Sequence, residues 1–348
     1  MDIQAAIKRI CEGSHLSARE MEQVMQQVMT GGATDAQIGG LLIGLRLKGE
    51  TVDEITGAAN VMRQLATPVS VKDRENLVDV VGTGGDGSNT FNISTASAFV
   101  TAAAGARVAK HGNRSVSSST GSADLLEAAG VNLTMTAEQV GQCIEEVGVG
   151  FMFAPAHHSA MKHAIGPRKE MGVRTIFNVL GPLTNPAGAP SQLTGVFSRE
   201  LVRPIAEVFK ALGSEHVMVV HSADGMDEIS VCDKTYVAEL KDGQIREYTV
   251  EPEQFGLTRG KLSDLAVSGA AESLAVIEGV LNDQTTTPAQ QASRDIVALN
   301  SGAAIYVSGV TQSLEQGVAL AQDVIASGQA KQKLTDLVDA SKMMLQVS

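Results

Sequence analysis

The chain has 348 residues, 43% of them hydrophobic and 19% charged, which fits one large domain with a smaller companion and excludes wholesale disorder. Its formal charge of -12 disfavours general nucleic-acid binding, because a phosphate backbone demands a basic surface. The longest apolar runs, such as 38–45, fall short of the roughly 20 residues that a membrane span needs. No basic region followed by an apolar core opens the chain. Cys11, Cys143 and Cys232 are too scattered for a metal cluster, so the expectation is a cytoplasmic protein with reduced thiols.

Residues 1–68 read as helices only. Ser17 with Glu20, Thr34 with Gln37, and Thr51 with Glu54 have capping-box spacing. After Ser17, Met21, Val24, Met25, Val28 and Met29 recur at helical spacing until Gly31-Gly32 stops the run. Gly39, Gly40 and Gly44 fall inside the next predicted helix, where each costs roughly 1 kcal/mol against alanine. Close helix-on-helix approach would offset that cost, either at a dimer seam or within the chain.

From residue 77 short apolar runs alternate with helical patterns. Strands are expected at 77–81, 107–109, 149–153 and 216–221, and helices at 96–104, 121–129, 136–147 and 199–212. Segments 236–240 and 244–250 form a predicted hairpin around Asp242-Gly243, and the last third returns to helices, including 287–300 and 314–326. The fold class is therefore α/β: a small all-helical N-terminal domain plus a large domain with a central sheet flanked by helices. The proline- and glycine-rich stretch 166–190 suggests that the chain leaves the main domain there and returns. The boundaries drawn are 1–68, joined by about 166–190, and 69–165 with 191–348.

The strongest local feature is Gly82-Thr83-Gly84-Gly85-Asp86-Gly87-Ser88-Asn89-Thr90, directly after a predicted strand. Such glycines allow sharp bends and present N–H groups to an anion. The run formally matches G-x-G-x-x-G, but no helix begins within it, and Arg107 stands where a dinucleotide fold needs an acid. No Gly-Lys-Ser/Thr follows, so it is not a Walker loop. Between Asp86 and Asp124 there is no acidic residue, in a chain that carries 39. That window holds Arg107, Lys110, His111 and Arg114 with many hydroxyls, as binding of a multiply charged phosphate requires. A flexible polar loop is the plainer reading. Asn92-Ile93-Ser94-Thr95 opens an alanine-rich helix whose start offers a second anion seat, or in which Ser94 or Thr95 is simply the cap.

Taken together, Gly82-Thr83-Gly84-Gly85-Asp86, Asn92-Ile93-Ser94-Thr95, Lys110-His111-Gly112-Asn113-Arg114, Ser117-Ser118 and Gly121-Ser122-Ala123-Asp124 resemble the signature of the anthranilate phosphoribosyltransferases. The likeness continues through Arg168-Lys169-Glu170-Met171-Gly172 and Gly181-Pro182-Leu183-Thr184-Asn185-Pro186 to Asp224-Gly225-Met226-Asp227-Glu228. Each motif is weak alone; the ordered set is specific. The resemblance implies a site in a cleft between the two domains, a homodimer through the helical domain, Mg2+ (a pair of ions per subunit) and a place in tryptophan biosynthesis.

It also implies roles. Gly82, Gly85, Asp86, Thr90, Asn92, Ile93, Ser94 and Thr95 would contact phosphoribosyl pyrophosphate. Lys110, His111, Gly112, Asn113, Arg114, Ser115, Val116, Ser117, Ser118 and Ser122 would form the other wall. Lys110 would serve as a point charge on pyrophosphate. Asp227 and Glu228, with the Ser94 hydroxyl, would hold magnesium, which prefers few carboxylates, retained waters and phosphate oxygens. Arg168 would take the anthranilate carboxylate in a two-pronged grip, near Gly82, His111 and Asn113. Catalysis by Lys110, Asp227 and Glu228 would come from neutralising the leaving group and positioning a weak nucleophile.

His157, His158 and His163, without a cysteine and with one pair adjacent, suit a cleft lining or packing better than zinc. Two rivals remain. A pyrimidine nucleoside phosphorylase also uses a Lys-His loop on phosphate, and phosphorolysis of uridine would reveal it. A non-catalytic nucleic-acid-binding relative would shift single-stranded DNA on a gel, against the charge of -12.

Overall fold

The computed structural model describes residues 1–115 and 120–346. Helices α1 (Ile3–Cys11), α2 (Ala18–Met29), α3 (Asp35–Lys48) and α4 (Val52–Leu65) form the N-terminal body. All three expected capping boxes are present, so the side chains of Ser17, Thr34 and Thr51 each accept a backbone N–H three residues on. Met21, Val24, Met25, Val28 and Met29 are all buried on one face of α2, each contributing roughly 1.5–3 kcal/mol. Glu54, fully buried, accepts hydrogen bonds from Leu16 N at 2.9 Å and Lys48 Nζ at 2.8 Å as well as closing its own cap. A Cβ on Gly44 would stand 2.8 Å from Ile10 Cγ2, so close packing of α1 on α3 within the chain accounts for that glycine.

The rest of the chain supplies β1 (Leu77–Gly82), α5 (Ile93–Ala103), β2 (Arg107–Gly112), α6 (Ser122–Ala128), α7 (Ala137–Glu146) and β3 (Val149–Phe153). Short α8 (Ala154–His157), α9 (Lys162–Met171) and α10 (Phe177–Leu180) follow, then β4 (Ser191–Gly195), α11 (Val202–Ala211), β5 (His216–Ser222), β6 (Thr235–Lys241) and β7 (Gln244–Val250). Helices α12 (Ala270–Leu281), α13 (Pro288–Val307), α14 (Leu314–Ser327) and α15 (Gln329–Gln346) end it. The sheet runs β3-β2-β1-β4-β5-β6-β7, parallel through β5 and antiparallel at β6 and β7.

Both faces of the sheet are covered, as a parallel sheet requires. Along β5, Val217 and Val219 join the core shared with the helical body, whereas Met218 and Val220 face the core built with α5 and α13. The strap between β3 and β4 contributes Ala164, Ile176, Phe177 and Leu180 to the former core, and α9 packs on α2 and α3.

Three sequence expectations shift. Strand β2 runs beyond 109 to Gly112, because Lys110 and His111 are buried despite their polarity. Strand β4 has no counterpart in the sequence reading, which assigns nothing to Ser-Gln-Leu-Thr-Gly; every residue of it is buried, and Gln192 donates to Pro182 O and Thr194 Oγ1, both at 2.7 Å. Helix α13 continues past 300 to Val307. The hairpin turn is as expected, with φ of 51° at Asp242 and 69° at Gly243.

Candidate active site

The chain winds from β1 through β2 to β3 on one side and resumes at β4 and β5 on the other, so the topology reverses between β1 and β4. Open α/β sheets bind ligands at the carboxyl end of such a pair. There Gly82 ends β1 directly opposite Gly195 of β4, and the loop after β5 lays Asp227 across both. A Cβ on Gly82 would stand 2.3 Å from Asp227 Oδ2, and one on Gly195 1.5 Å from the Asp227 carbonyl oxygen. Only glycine admits that acid.

The glycine loop turns over this point with φ of 65°, 74° and 80° at Gly84, Gly85 and Gly87, a path costly for any other residue. Gly84 N donates to Asp227 Oδ2 at 2.7 Å. Asp86 accepts from Ser88 N at 3.1 Å and Ser88 Oγ at 2.7 Å, and its Oδ2 lies 3.4 Å from Asp227 N. Thr90 bridges to Ala266, which fixes the far end of the loop.

Asn92, not Ser94 or Thr95, occupies the N-cap position of α5, and its side chain makes no cap hydrogen bond. Its Oδ1 accepts from Ser273 Oγ at 2.8 Å and its Nδ2 donates to Thr120 O at 3.3 Å. Glu228 lies near the helix start, where Ser94 N favours its charged form. Ile93 is core, and Thr95 is fully buried with its hydroxyl oxygen lacking a hydrogen-bond partner among the described residues.

Lys110, 2% exposed, reaches from β2 beneath this helix start; its Nζ donates to Val80 O at 2.6 Å and Ser94 Oγ at 3.1 Å. Burial pulls its ammonium down to about 8, against the attraction of Asp79, Glu228 and Asp227. Asp79 is wholly buried, and burial pushes it up to about 6. It accepts from Asn185 Nδ2 at 2.6 Å and from His111 N at 3.3 Å, while Asn185 Nδ2 also donates to Ala109 O at 2.8 Å. Burial, then the neighbouring Asp86, pushes Asp227 up to about 7. Glu228 is also pushed well up, by burial and then Asp227, with Lys110 opposing.

This donor set fits a hard divalent cation: carboxylates crowded enough to repel, a hydroxyl at Ser94 and a screening lysine. Among the described residues no three His, Cys, Asp or Glu side chains are grouped to hold a metal ion. A cation here therefore needs oxygens from water or a ligand, as magnesium on a pyrophosphate has.

The rest of the expected wall divides. His111 and His158 are buried with ring centroids 5.1 Å apart, and both have an Nε2 without a hydrogen-bond partner among the described residues. Burial, then neighbouring histidines, pushes them down to about 3 and about 4, so both are neutral. The His157 Nδ1 lies 3.0 Å from Thr67 O, and His163 lies beside Gly31 of the helical body. Gly112 packs against Phe151 and Ser122, which opens α6, while Asn113 Oδ1 accepts from Arg114 N at 2.7 Å. The Arg114 guanidinium is engaged by Glu127 at 2.7 and 2.9 Å and by Asp124 at 3.1 Å. Asp124 also accepts from Ser115 N and Gly121 N, both at 2.9 Å, clipping the loop ends together. Val116, Ser117 and Ser118 lie outside the described residues. Arg168, half-buried on α9, lies 5.0 Å over the Phe177 ring and has no carboxylate partner among the described residues.

Four residues escaped the sequence reading. Asp79 carried a signal, since an acid inside an apolar strand must be paired. Asn185 lay in a quoted motif but without a role. Gly195 was hidden in an unrecognised strand. Arg174, between α9 and α10, donates to the Gly85 carbonyl, a contact between segments that no local pattern encodes.

Residues 4–66 match the helical bundle domain of a glycosyl transferase family, and residues 74–331 match its a/b domain. An anthranilate phosphoribosyltransferase from Cellvibrio japonicus is 63% identical over 97% of this chain and 98% of its own, and one from Hahella chejuensis is 62% identical over 98% of each. Among solved structures, the anthranilate phosphoribosyltransferase of Thermus thermophilus superposes with a TM-score of 0.90 at 44% identity, covering 97% of this chain and 99% of that one. The enzyme from Saccharomyces cerevisiae, solved in complex with PRPP and Mg, superposes at 0.88 with 26% identity over 98% of both chains. With near-complete coverage on both sides and the two-part architecture matched, the chain belongs to the anthranilate phosphoribosyltransferase family.

Proposed function

We propose that this protein transfers the phosphoribosyl group of phosphoribosyl pyrophosphate to the amine of anthranilate, giving N-(5-phosphoribosyl)anthranilate and pyrophosphate, a step of tryptophan biosynthesis. One observation carries the reading: Lys110, Asp227 and Glu228 converge on the β1–β4 switch point beneath a glycine loop whose backbone can approach a ligand closely. The C1–O bond to pyrophosphate breaks as the C1–N bond forms, so negative charge gathers on the leaving group while the sugar becomes cationic. A buried lysine and preorganised backbone donors stabilise that separation.

Phosphoribosyl pyrophosphate lies between the loop of Gly82, Gly85, Asp86 and Thr90, the turn 92–95, and the segment 110–118 with Ser122. Lys110, already directed at Ser94 Oγ, sits beside the pyrophosphate. Asp227, Glu228 and Ser94 hold Mg2+, a pair of ions per subunit, which when bound neutralises pyrophosphate. The Arg114 guanidinium, engaged by Asp124 and Glu127, holds the start of α6 against this segment. Arg168, lacking an anionic partner among the described residues, takes the anthranilate carboxylate. His111 and Asn113 flank the ring near Gly82. Neutral His111 and His158 suit an apolar aromatic acceptor better than imidazolium would. No general base is assigned; solvent takes the amine proton.

The active species is a cytoplasmic homodimer joined through the helical body, where α3 leaves Gly40 and Leu47 exposed, Leu47 at 83%. No helix among the described residues is long and apolar enough to cross a membrane. The decisive experiment follows loss of anthranilate fluorescence on adding phosphoribosyl pyrophosphate and Mg2+, repeated with a chelator. No loss in the complete mixture would sink the reading, and undiminished loss with chelator would remove the metal.

A further inference from the structure

We propose that Arg174 is a positioning residue that latches the glycine loop to the strap carrying Arg168, so that the seat for phosphoribosyl pyrophosphate is preformed; this rests on the function proposed above. The loop needs such a hold. Gly84, Gly85 and Gly87 all sit at positive φ, and Asn89 adds a φ of 52°. Glycine-rich backbone has many alternative paths, so a single seated conformation is entropically costly unless something outside the loop fixes it.

Arg174 supplies two contacts. Its Nη2 donates to the Gly85 carbonyl oxygen. Its guanidinium also lies over the Phe197 ring, 4.3 Å from the centroid. Phe197 is itself tied to the loop, because its backbone N donates to Thr83 Oγ1 at 3.0 Å. The circuit Thr83–Phe197–Arg174–Gly85 therefore closes around the first half of the loop, whose far end is held by the Thr90–Ala266 bridge. Arg174 is anchored behind: α9 ends at left-handed Gly172, Thr175 N donates to Asn178 Oδ1 at 2.9 Å, and Ile176 and Phe177 are buried in the helical body's core. Arg168 lies six residues earlier on the same strap. Turning the Gly85 carbonyl toward Arg174 directs an acceptor away from an anionic ligand, which would otherwise be repelled by it.

The fork and the ring contact are what matter, and lysine can supply neither together. Steady-state kinetics on the full-length protein should show KM for phosphoribosyl pyrophosphate rising about three- to tenfold in Arg174→Ala, as expected for loss of a partly exposed charged hydrogen bond, with kcat within about twofold. Arg174→Lys should show the same rise. If lysine restores KM, long-range charge attraction explains the effect and the latch is wrong. Unchanged KM in Arg174→Ala, or a fall confined to kcat, overturns it as well. Phe197→Leu should raise the same KM, and the double variant should be no worse than Arg174→Ala; additive losses would show that the two residues act apart. If the unsubstituted protein fails to consume anthranilate, the function itself has failed, an outcome separate from all of these.

Discussion

Gly195 faces the backbone oxygen of Asp227 so closely that a Cβ would lie 1.5 Å from it, deep inside van der Waals contact. The neighbour is main chain and cannot swing aside, so Gly195→Ala must displace the whole 224–228 loop. Overpacking of this kind costs about 1–3 kcal/mol. The expected outcome is a lower melting temperature together with at least a hundredfold loss of turnover, since both acids move; a variant with normal kcat would show that their placement is not critical.

Asp227 and Glu228 are held where burial and a neighbouring carboxylate, Asp86 for Asp227 and Asp227 for Glu228, disfavour their charge. Asp227→Asn with Glu228→Gln keeps size and removes that penalty. Turnover should disappear while thermal stability, measured without Mg2+, stays equal or rises. Retained turnover would remove both residues from the metal and catalytic roles, and a collapsed melt would make them structural.

Much of this is legible in the sequence. Capping boxes and apolar spacing specified α2, α3 and α4, because helix signals are local. The acid-free window around Lys110 points to the candidate site because charge composition is visible in one dimension. What stayed hidden depends on partners distant in sequence. β4 is polar yet buried because its Gln192 bonds Pro182 and Thr194, and Asp79 is tolerable because His111 and, 106 residues on, Asn185 hydrogen-bond it. The engagement of Arg114 by Asp124 and Glu127 was equally unreadable: basic residues in the window looked alike, and only the position of α6 separates Arg114 from Lys110.

Arg168 has a half-buried guanidinium stacked on Phe177 and no acid beside it among the described residues. In a chain with 39 acids, an arginine left without one is available for an anionic ligand. Arg168→Ala should weaken anthranilate use by about 1.5–3 kcal/mol, the usual range for a charged hydrogen bond, read as a rise in KM for anthranilate at saturating phosphoribosyl pyrophosphate. An unchanged KM would refute the assignment.

Far from the cleft, Glu239 of β6 accepts from Tyr306 Oη at 2.8 Å and Tyr248 Oη at 2.9 Å, with His216 Nε2 at 2.9 Å. Burial pushes its carboxyl up, but the hydrogen bonds from His216, Tyr306 and Tyr248 outweigh that and hold it down to about 2. A folded-state value below the unfolded one near 4.5 means that ionised Glu239 favours the native state. Its contribution is full above about pH 4.5 and is lost as pH falls toward 2. A depression of this size corresponds to stability on the order of 3 kcal/mol. Glu239→Gln should therefore destabilise the fold at pH 7 in urea titrations, and the deficit should shrink steadily as the comparison is repeated from pH 4.5 downward. A deficit that stays constant across that range would mean that the network staples α13 to the sheet through hydrogen-bond geometry alone, with the carboxylate's charge contributing nothing.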